Sequence, residues 1–521
     1  RTRSVRATMI ARGGDPLVDP YVRRSIYWLM LIATTGQMVA RVANVEFLYE
    51  PSFYKAEGRK WPAERPEPWP TFSSNDRARW ATVKALVEDG TFVVGERISD
   101  PNEKTGYRDV GLVRADGFRS VDYVLHPDRQ QFFSTKPPLL TLFVAGQYWI
   151  LHNYLHKDLV EQKWEVVVPI LLVTNVLPLV LALWLLARIL ERLGTTDWGR
   201  LFVFATACFG TFLPTFVTTL NNHVPAACCV TYALYALLSW SKAGNRLPSD
   251  VQRSEWYPNM GEEDTTPEED NPGSPLRLLV VGLFAGLAVC LDLPAAAFAG
   301  ALALVILIRQ PRGLPLYLIA LAVPIAGQAA VNYKAVGTWE PLYAKFGGPW
   351  YEYEGSHWAK PKLWAEGKVE KPEHPGIDFA DEPKEVYAMH FLVGHHGLFS
   401  LTPVWLLALF GMALTPAARG VPTWLHRLTP LVAAVVIAFY IWRTNNYGGY
   451  SSGPRWLFWL TPLFLLAMQP AADLVGKSRV GRYVAVLLLG ASAFSATYPW
   501  ANPWRHPWIY QWCEYMGWVR Y

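Results

Sequence analysis

The chain has 521 residues, of which 51% are hydrophobic and 14% aromatic, with 24 Trp and only 17% charged residues; an ordinary soluble domain carries about 25% charge. Apolar runs of about 17–25 residues recur from Ser25 almost to the C-terminus, which excludes a soluble globular enzyme and indicates an all-α polytopic membrane protein. The net charge of +5, from 48 Lys+Arg against 43 Asp+Glu, does not point to a nucleic-acid partner.

The N-terminal stretch RTRSVRATMIARGGDP (1–16) is basic, and no small-residue cleavage site follows the first apolar run, so that run reads as an uncleaved helix. Apolar stretches then fall at 25–45, 137–155, 164–187, 201–220, 224–240, 278–291, 294–308, 314–330, 398–414, 429–442, 456–470 and 483–498. With a cytoplasmic N-terminus carrying Arg23 and Arg24, counting 137–155 as a span would export Arg188, Arg192, Arg200, Arg309, Arg312, Arg427 and Arg482. That inverts the positive-inside rule. Left on the outer face as a juxtamembrane helix, 137–155 restores the rule, and about eleven spans remain. The polar end of this segment, QYWILHNYLHKD (147–158), suits an interfacial position.

The resulting organisation is a cytoplasmic segment 1–24, a transmembrane module 25–330 with an external loop 46–163 and a cytoplasmic acidic linker 241–276, an external loop 331–397, and C-terminal spans with an external tail at 398–521. The linker includes GEEDTTPEEDNPGSP (261–275) and has no apolar periodicity, as expected of a disordered connector. Cys208, Cys228, Cys229 and Cys290 lie in apolar runs, and no disulfide framework or CxxC metal site is present. Ionisable residues are nearly absent from mid-span, and no internal repeat appears, which argues against an ion pathway or a transporter.

The unusual polar residues gather on the external side. In FSSNDRARWATVKALVEDGTF (72–92), Trp80, Val83 and Val87 recur opposite Arg77, Lys84 and Glu88, predicting an amphipathic helix on the outer membrane face. Asp76 lies in its first turn, and Ser73-x-x-Asp76 has capping-box spacing. Lys136-Pro137-Pro138 opens the next helix; the Lys either snorkels to headgroups or, with free amides, forms a positive end suited to a lipid-linked phosphate. Asn221-Asn222-His223 occupies an outer turn. His390, His395 and His396 have the spacing HxxxxHH, which is not a recognised metal motif. NNYGGYSSGPRW (445–456) is a tight turn or a backbone-rich pocket in which Arg455 meets an anion.

Taken in order, DRARWA (76–81), EDG (88–90) and KPPL (136–139), followed by a span with a basic inner end, resemble the GT-C membrane glycosyltransferases. The likeness is to the branch of lipid A aminoarabinose transferases and protein O-mannosyltransferases. GTFLPTFVTTLNNHVPAA and GGYSSGPRWLFWLTPLF are similar to segments of uncharacterised bacterial members. The resemblance implies transfer of a sugar from a polyprenyl-phosphate carrier to a glycan, lipid or protein acceptor, at the external face of the cell membrane. It makes Asp76 the catalytic carboxylate and Lys136 the holder of the carrier phosphate, with Arg455 and His223 beside it. Arg79, Asn221, Asn222, His396 and Tyr450 are the further donor- or acceptor-site candidates. Arg77 stands where relatives carry a second acid, and Asn221-Asn222-His223 and Asp292 stand where others have an acid and a base. A divalent metal ion held by paired acids is left open. Two other readings remain: a non-catalytic scaffold of the same fold, and a lipid-carrier transporter.

Overall fold

The computed structural model describes residues 19–45, 70, 73–239, 275–414 and 421–521. The basic stretch 1–16, the start of the first external loop and nearly all of the acidic linker lie outside the described residues. Among the described residues seven helices are long and apolar enough to cross a membrane: Pro20–Ala43, Lys163–Leu193, Asp197–Phe216, Pro311–Val336, Thr423–Arg443, Arg455–Val475 and Arg479–Thr497. Three shorter apolar helices, His223–Leu238, Arg277–Leu291 and Leu293–Arg309, correspond to expected spans. The run expected at 398–414 is broken instead, into Leu398–Leu401 and Trp405–Ala413. Thr402-Pro403 interrupts it, as a proline disfavours helical backbone at the residue before it.

The first helix, α1 (Pro20–Ala43), is fixed at its start. Arg23 makes a two-pronged pair with Glu191, Nε to Oε1 at 2.7 Å and Nη2 to Oε2 at 2.6 Å, and also meets Asp197. Asp473 accepts from the Thr195 and Thr196 amides at 2.9 and 2.8 Å. One end of the bundle therefore joins 19–24, 188–200 and 473–482, the segments the charge pattern assigns to a common side. Arg277–Leu291 packs closely on Leu314–Val336 through Gly282 and Gly286, where a Cβ would sit 2.2 and 2.4 Å from the carbonyl oxygens of Tyr317 and Leu321. Small residues four apart let helix backbones approach this closely.

At the opposite end lie α2 (Ser74–Glu88) and α3 (Pro138–Leu155). The helix α3 is not among those apolar enough to span, in keeping with its polar Gln147–Asn153 stretch. Expected as an amphipathic surface helix, α2 is instead enclosed by protein. Asn75, Asp76, Arg79, Trp80, Thr82 and Val83 are all buried, and Tyr148 of α3 donates to Glu88 Oε1 at 2.7 Å.

The all-α expectation needs a second correction. Between these helices runs a four-stranded antiparallel sheet, β1 (Gly95–Ser99), β2 (Tyr107–Gly111), β3 (Tyr123–Leu125) and β4 (Gln131–Ser134), ordered β2-β1-β4-β3. Strands of three to five residues are too short for their alternation to stand out in sequence. The 331–397 segment docks on this sheet: the Leu125 amide donates to Trp350 O at 3.1 Å, Trp358 Nε1 to Val121 O at 2.7 Å, and Arg97 Nη2 to Glu354 O at 3.1 Å.

Candidate active site

The register Tyr123↔Ser134, Val124↔Phe133, Leu125↔Phe132 sets Asp122, the residue before β3, against Thr135 and Lys136, the residues after β4. The Thr135 amide donates to Asp122 O at 3.0 Å, and Lys136 Nζ lies 2.8 Å from Asp122 Oδ1. Both side chains line a cavity of about 1340 Å³ bounded by α2, the sheet end, the turn at Asp292, the docked 331–397 segment and the end of Thr423–Arg443.

Four more of the residues singled out by sequence reach this cavity: Arg79, Asn222, His223 and Arg455. Arg79 is fully buried. Its Nη1 donates to Asn75 O at 2.9 Å and to Leu220 O at 3.3 Å, and its Nη2 to Asn222 Oδ1 at 2.5 Å. Its Nε has no hydrogen-bond partner among the described residues. Asn222 passes the contact on, donating through Nδ2 to Leu291 O at 2.8 Å. Arg455 donates through Nε and Nη2 to Gly448 O at 3.1 and 2.9 Å, and its Nη1 meets His223 Nε2 at 3.1 Å. A guanidinium can only donate, so that imidazole nitrogen accepts. Nδ1 then carries the proton given to Asp292 Oδ2 at 2.7 Å. Gly448 at φ +90 and Gly449 at φ +69 make the turn that aims a carbonyl at Arg455, a backbone shape open chiefly to glycine.

Each of these charges acts on the others. Burial pushes the Lys136 ammonium down to about 8, opposed by Asp122 and reinforced by Arg79 and Arg455. Burial likewise lowers the Arg79 guanidinium to about 10, with Asp122 and Asp76 opposing, which leaves it charged at neutral pH. Among the described residues no carboxylate lies within ion-pair distance of Arg79 or Arg455. A buried cation without an anion is costly. Beside the cations the wall turns apolar, with Leu291, Val435, Val436 and Phe439.

The remaining candidates lie off the cavity lining. Asp76 closes a capping box: its Oδ1 accepts from the Ser73 amide at 2.7 Å and the Arg77 amide at 3.2 Å, while Ser73 Oγ accepts from the Asp76 amide at 3.4 Å. The box fixes the turn that presents Asn75 and Arg79. Ser73→Ala should cost roughly 0.5–2 kcal/mol, seen as a lower unfolding midpoint in detergent; an unchanged midpoint would show that the box is dispensable. Asn221 Oδ1 accepts from the His223 and Val224 amides at 2.9 and 3.0 Å, a helix-start role. Tyr450 packs at a tilt against His506, ring centroids 4.3 Å apart. His396 belongs to a separate buried group of histidines; burial, foremost, and the neighbouring His395 lower its pKa well below the ordinary value.

Two residues of the site carried no role in the sequence reading. Asp122 becomes Lys136's partner only through a hairpin register, for which YVL and QFF around HPDRQ were the available signal. Asn75 gives no signal apart from its place one turn before Arg79. Among the described residues no group of three ligating side chains lies in this cavity. Only two groups of three His or carboxylate side chains come within ligating reach among the described residues, Glu382–His390–His395 and Glu88–His152–Asp158. Neither contains a residue that lines the cavity.

No protein-family model and no curated protein sequence matches the chain. Among solved structures it is similar to the Archaeoglobus fulgidus oligosaccharyltransferase in the apo form, with a TM-score of 0.45 and 13% identity over 94% of this chain and 57% of that one. The archaeal oligosaccharyltransferase AglB from the same organism, in complex with an inhibitory peptide and a dolichol-phosphate, gives 0.45 and 10% over 92% and 56%. The chain thus spans little more than half the length of these structures.

Proposed function

We propose that the chain is an integral-membrane glycosyltransferase of the GT-C type that takes a sugar from a polyprenyl-phosphate carrier at this cavity, on the external face of the membrane. The observation that carries the reading is the convergence of Arg79, Lys136 and Arg455 on one cavity, two of them without a carboxylate partner among the described residues, beside an apolar wall. A phosphate on a long hydrocarbon tail needs both halves of that surface. Charge-assisted hydrogen bonds hold its oxygens, and the apolar wall accepts the first isoprene units.

The chemistry follows from what each side chain can do. As the sugar–phosphate bond lengthens, negative charge grows on the departing phosphate, and Lys136, Arg79 and Arg455 stabilise it. His223, held by Asp292, keeps Arg455 in place as a positioning residue. A carboxylate must also accept the proton of the attacking acceptor group. The resemblance assigns that work to Asp76, but its Oδ1 is occupied by backbone amides. Asp122 already lines the cavity, so we assign the proton-accepting role to Asp122 and a positioning role, through Asn75 and Arg79, to Asp76. The aromatic residues Tyr343, Trp358 and Trp364 of the docked segment offer faces on which sugar rings stack.

The test is release of free polyprenyl phosphate from a panel of polyprenyl-phosphate sugars by the purified protein in nanodiscs, with a mixed acceptor extract. Turnover with one donor class that is lost in Arg455→Ala supports the reading. Tight carrier binding with no turnover on any donor favours the scaffold.

A further inference from the structure

Behind the cavity wall lies a second polar cluster that the transfer chemistry does not use. His395 is 1% exposed and His396 3%, and their Nδ1 atoms are 2.5 Å apart. His390 stacks on His395 with ring centroids 4.0 Å apart. The Tyr521 hydroxyl lies 2.9 Å from Glu382 Oε1 and 2.8 Å from His395 Nε2, and Tyr447 donates to the other Glu382 oxygen. His390 Nδ1 and His396 Nε2 are buried with no hydrogen-bond partner among the described residues. Buried polar atoms are almost always satisfied, so the orphaned His390 Nδ1, in a residue grouped with Glu382 and His395, points to a ligand.

The donors are already gathered. One ligand atom each from Glu382, His390 and His395 lies within 4.8 Å of the others. A tetrahedral ion with bonds of about 2.0–2.2 Å would draw them to roughly 3.3–3.6 Å apart, a movement of about one ångström that side-chain rotation can supply. Two imidazoles and one carboxylate, without thiolates, suit a borderline divalent ion of the zinc class and not the all-oxygen shells of calcium or magnesium. Two His and one acid leave a fourth position, and the Tyr521 hydroxyl or water is the nearest oxygen for it.

We propose that Glu382, His390 and His395 form a binding site for one divalent transition-metal ion of the zinc class, separate from the cation-lined cavity and structural in role. Its position explains what it would hold. Glu382 follows Ala380 and Asp381, which line the cavity. Asn445 Nδ2 donates to Ala380 O at 3.0 Å, and Tyr387 and Thr444 share a hydrogen bond of 2.7 Å. An ion here ties the 380–396 segment, the 443–449 turn and the Tyr521 segment into one wall. The sequence hides the site because HxxxxHH supplies only two of the ligands and the third lies eight residues before the first His.

The experiment strips the full chain with chelator in detergent, returns zinc(II) or cobalt(II), and reads bound metal by elemental analysis, the cobalt visible spectrum and the unfolding midpoint. The expected result is one metal per chain, a tetrahedral cobalt spectrum and a raised midpoint. His390→Ala and Glu382→Gln each weaken binding more than about tenfold, about 1.4 kcal/mol, while exposed His374→Ala leaves it unchanged. His390→Cys, which keeps a ligand, should retain the metal and add a sulfur-to-cobalt band, so misfolding of His390→Ala cannot mimic the outcome. The proposal is overturned if no metal binds, if His390→Ala and Glu382→Gln bind as wild type, or if cobalt shows a six-coordinate spectrum.

Discussion

Replacing Asp122 by Asn should slow glycosyl transfer by about two to four orders of magnitude, the usual cost of losing a positioned general base, while binding of the empty carrier stays as tight or becomes tighter. The second half of that result distinguishes a base from a scaffold residue. Asp122 now neutralises Lys136 at 2.8 Å, so a phosphate entering the cavity competes with a fixed carboxylate for the same ammonium. Asn keeps the shape and removes the competitor. Asp76→Asn should instead lower the unfolding midpoint and reduce transfer in proportion to the misplacement of Arg79. If Asp76 is the base, the two variants exchange behaviour: Asp76→Asn stops transfer in a normally stable protein, and Asp122→Asn does not.

Lys136→Ala should weaken polyprenyl-phosphate binding by roughly ten- to a hundredfold, the equivalent of about 1.5–3 kcal/mol for one hydrogen bond to a charged group. The same residue sets a pH dependence. Burial lowers its pKa to about 8 in the free protein, so the ammonium is present below that pH and is lost as pH rises through it. Carrier affinity should therefore be full at pH 7 and fall above about pH 8, with the midpoint displaced upward as bound phosphate favours the charged form. Lys136→Arg, which stays protonated, should flatten the profile. Lys136's effect on the unliganded fold has the opposite sign. Between about pH 8 and the free lysine value near 10.4 the unfolded chain binds more protons than the folded one. The penalty for burying the ammonium is then progressively relieved, and stability rises with pH. A carrier affinity that is flat with pH in the wild type would remove Lys136 from the phosphate site.

The long spans were legible because an apolar run of bilayer length has few other uses, and the charge pattern kept 137–155 off that roster from the loops alone. Lys136, Arg79, Asn222, His223 and Arg455 were legible as a group by their common side and their motifs, although nothing in the sequence says that His223 and Arg455 touch. What escaped depends on contacts between distant or weakly patterned segments. The sheet escaped because Gly95–Ser99 and Tyr107–Gly111 are short and mostly polar. Asp122 escaped with it, since its partner is chosen by the β3–β4 register. The helix at Ser74–Glu88 has a polar face that looks solvent-directed, yet Arg79 points into protein, where Leu220 O and Asn222 Oδ1 accept from it, and Asn75 is buried as its partner one turn earlier. At Asp76 capping and catalysis share one local signature, and the capping geometry is formed.

The most direct measurement is native mass spectrometry of the gently extracted protein, comparing wild type with Asp122→Asn, Lys136→Ala and Arg455→Ala. A polyprenyl phosphate or its glycoside should co-purify with wild type and Asp122→Asn and be reduced or absent in the two cation variants, with the added mass naming the sugar. Carrier retained equally by all four, or absent from all four after carrier is supplied in excess, would contradict the assignment of this cavity to a lipid-linked phosphate.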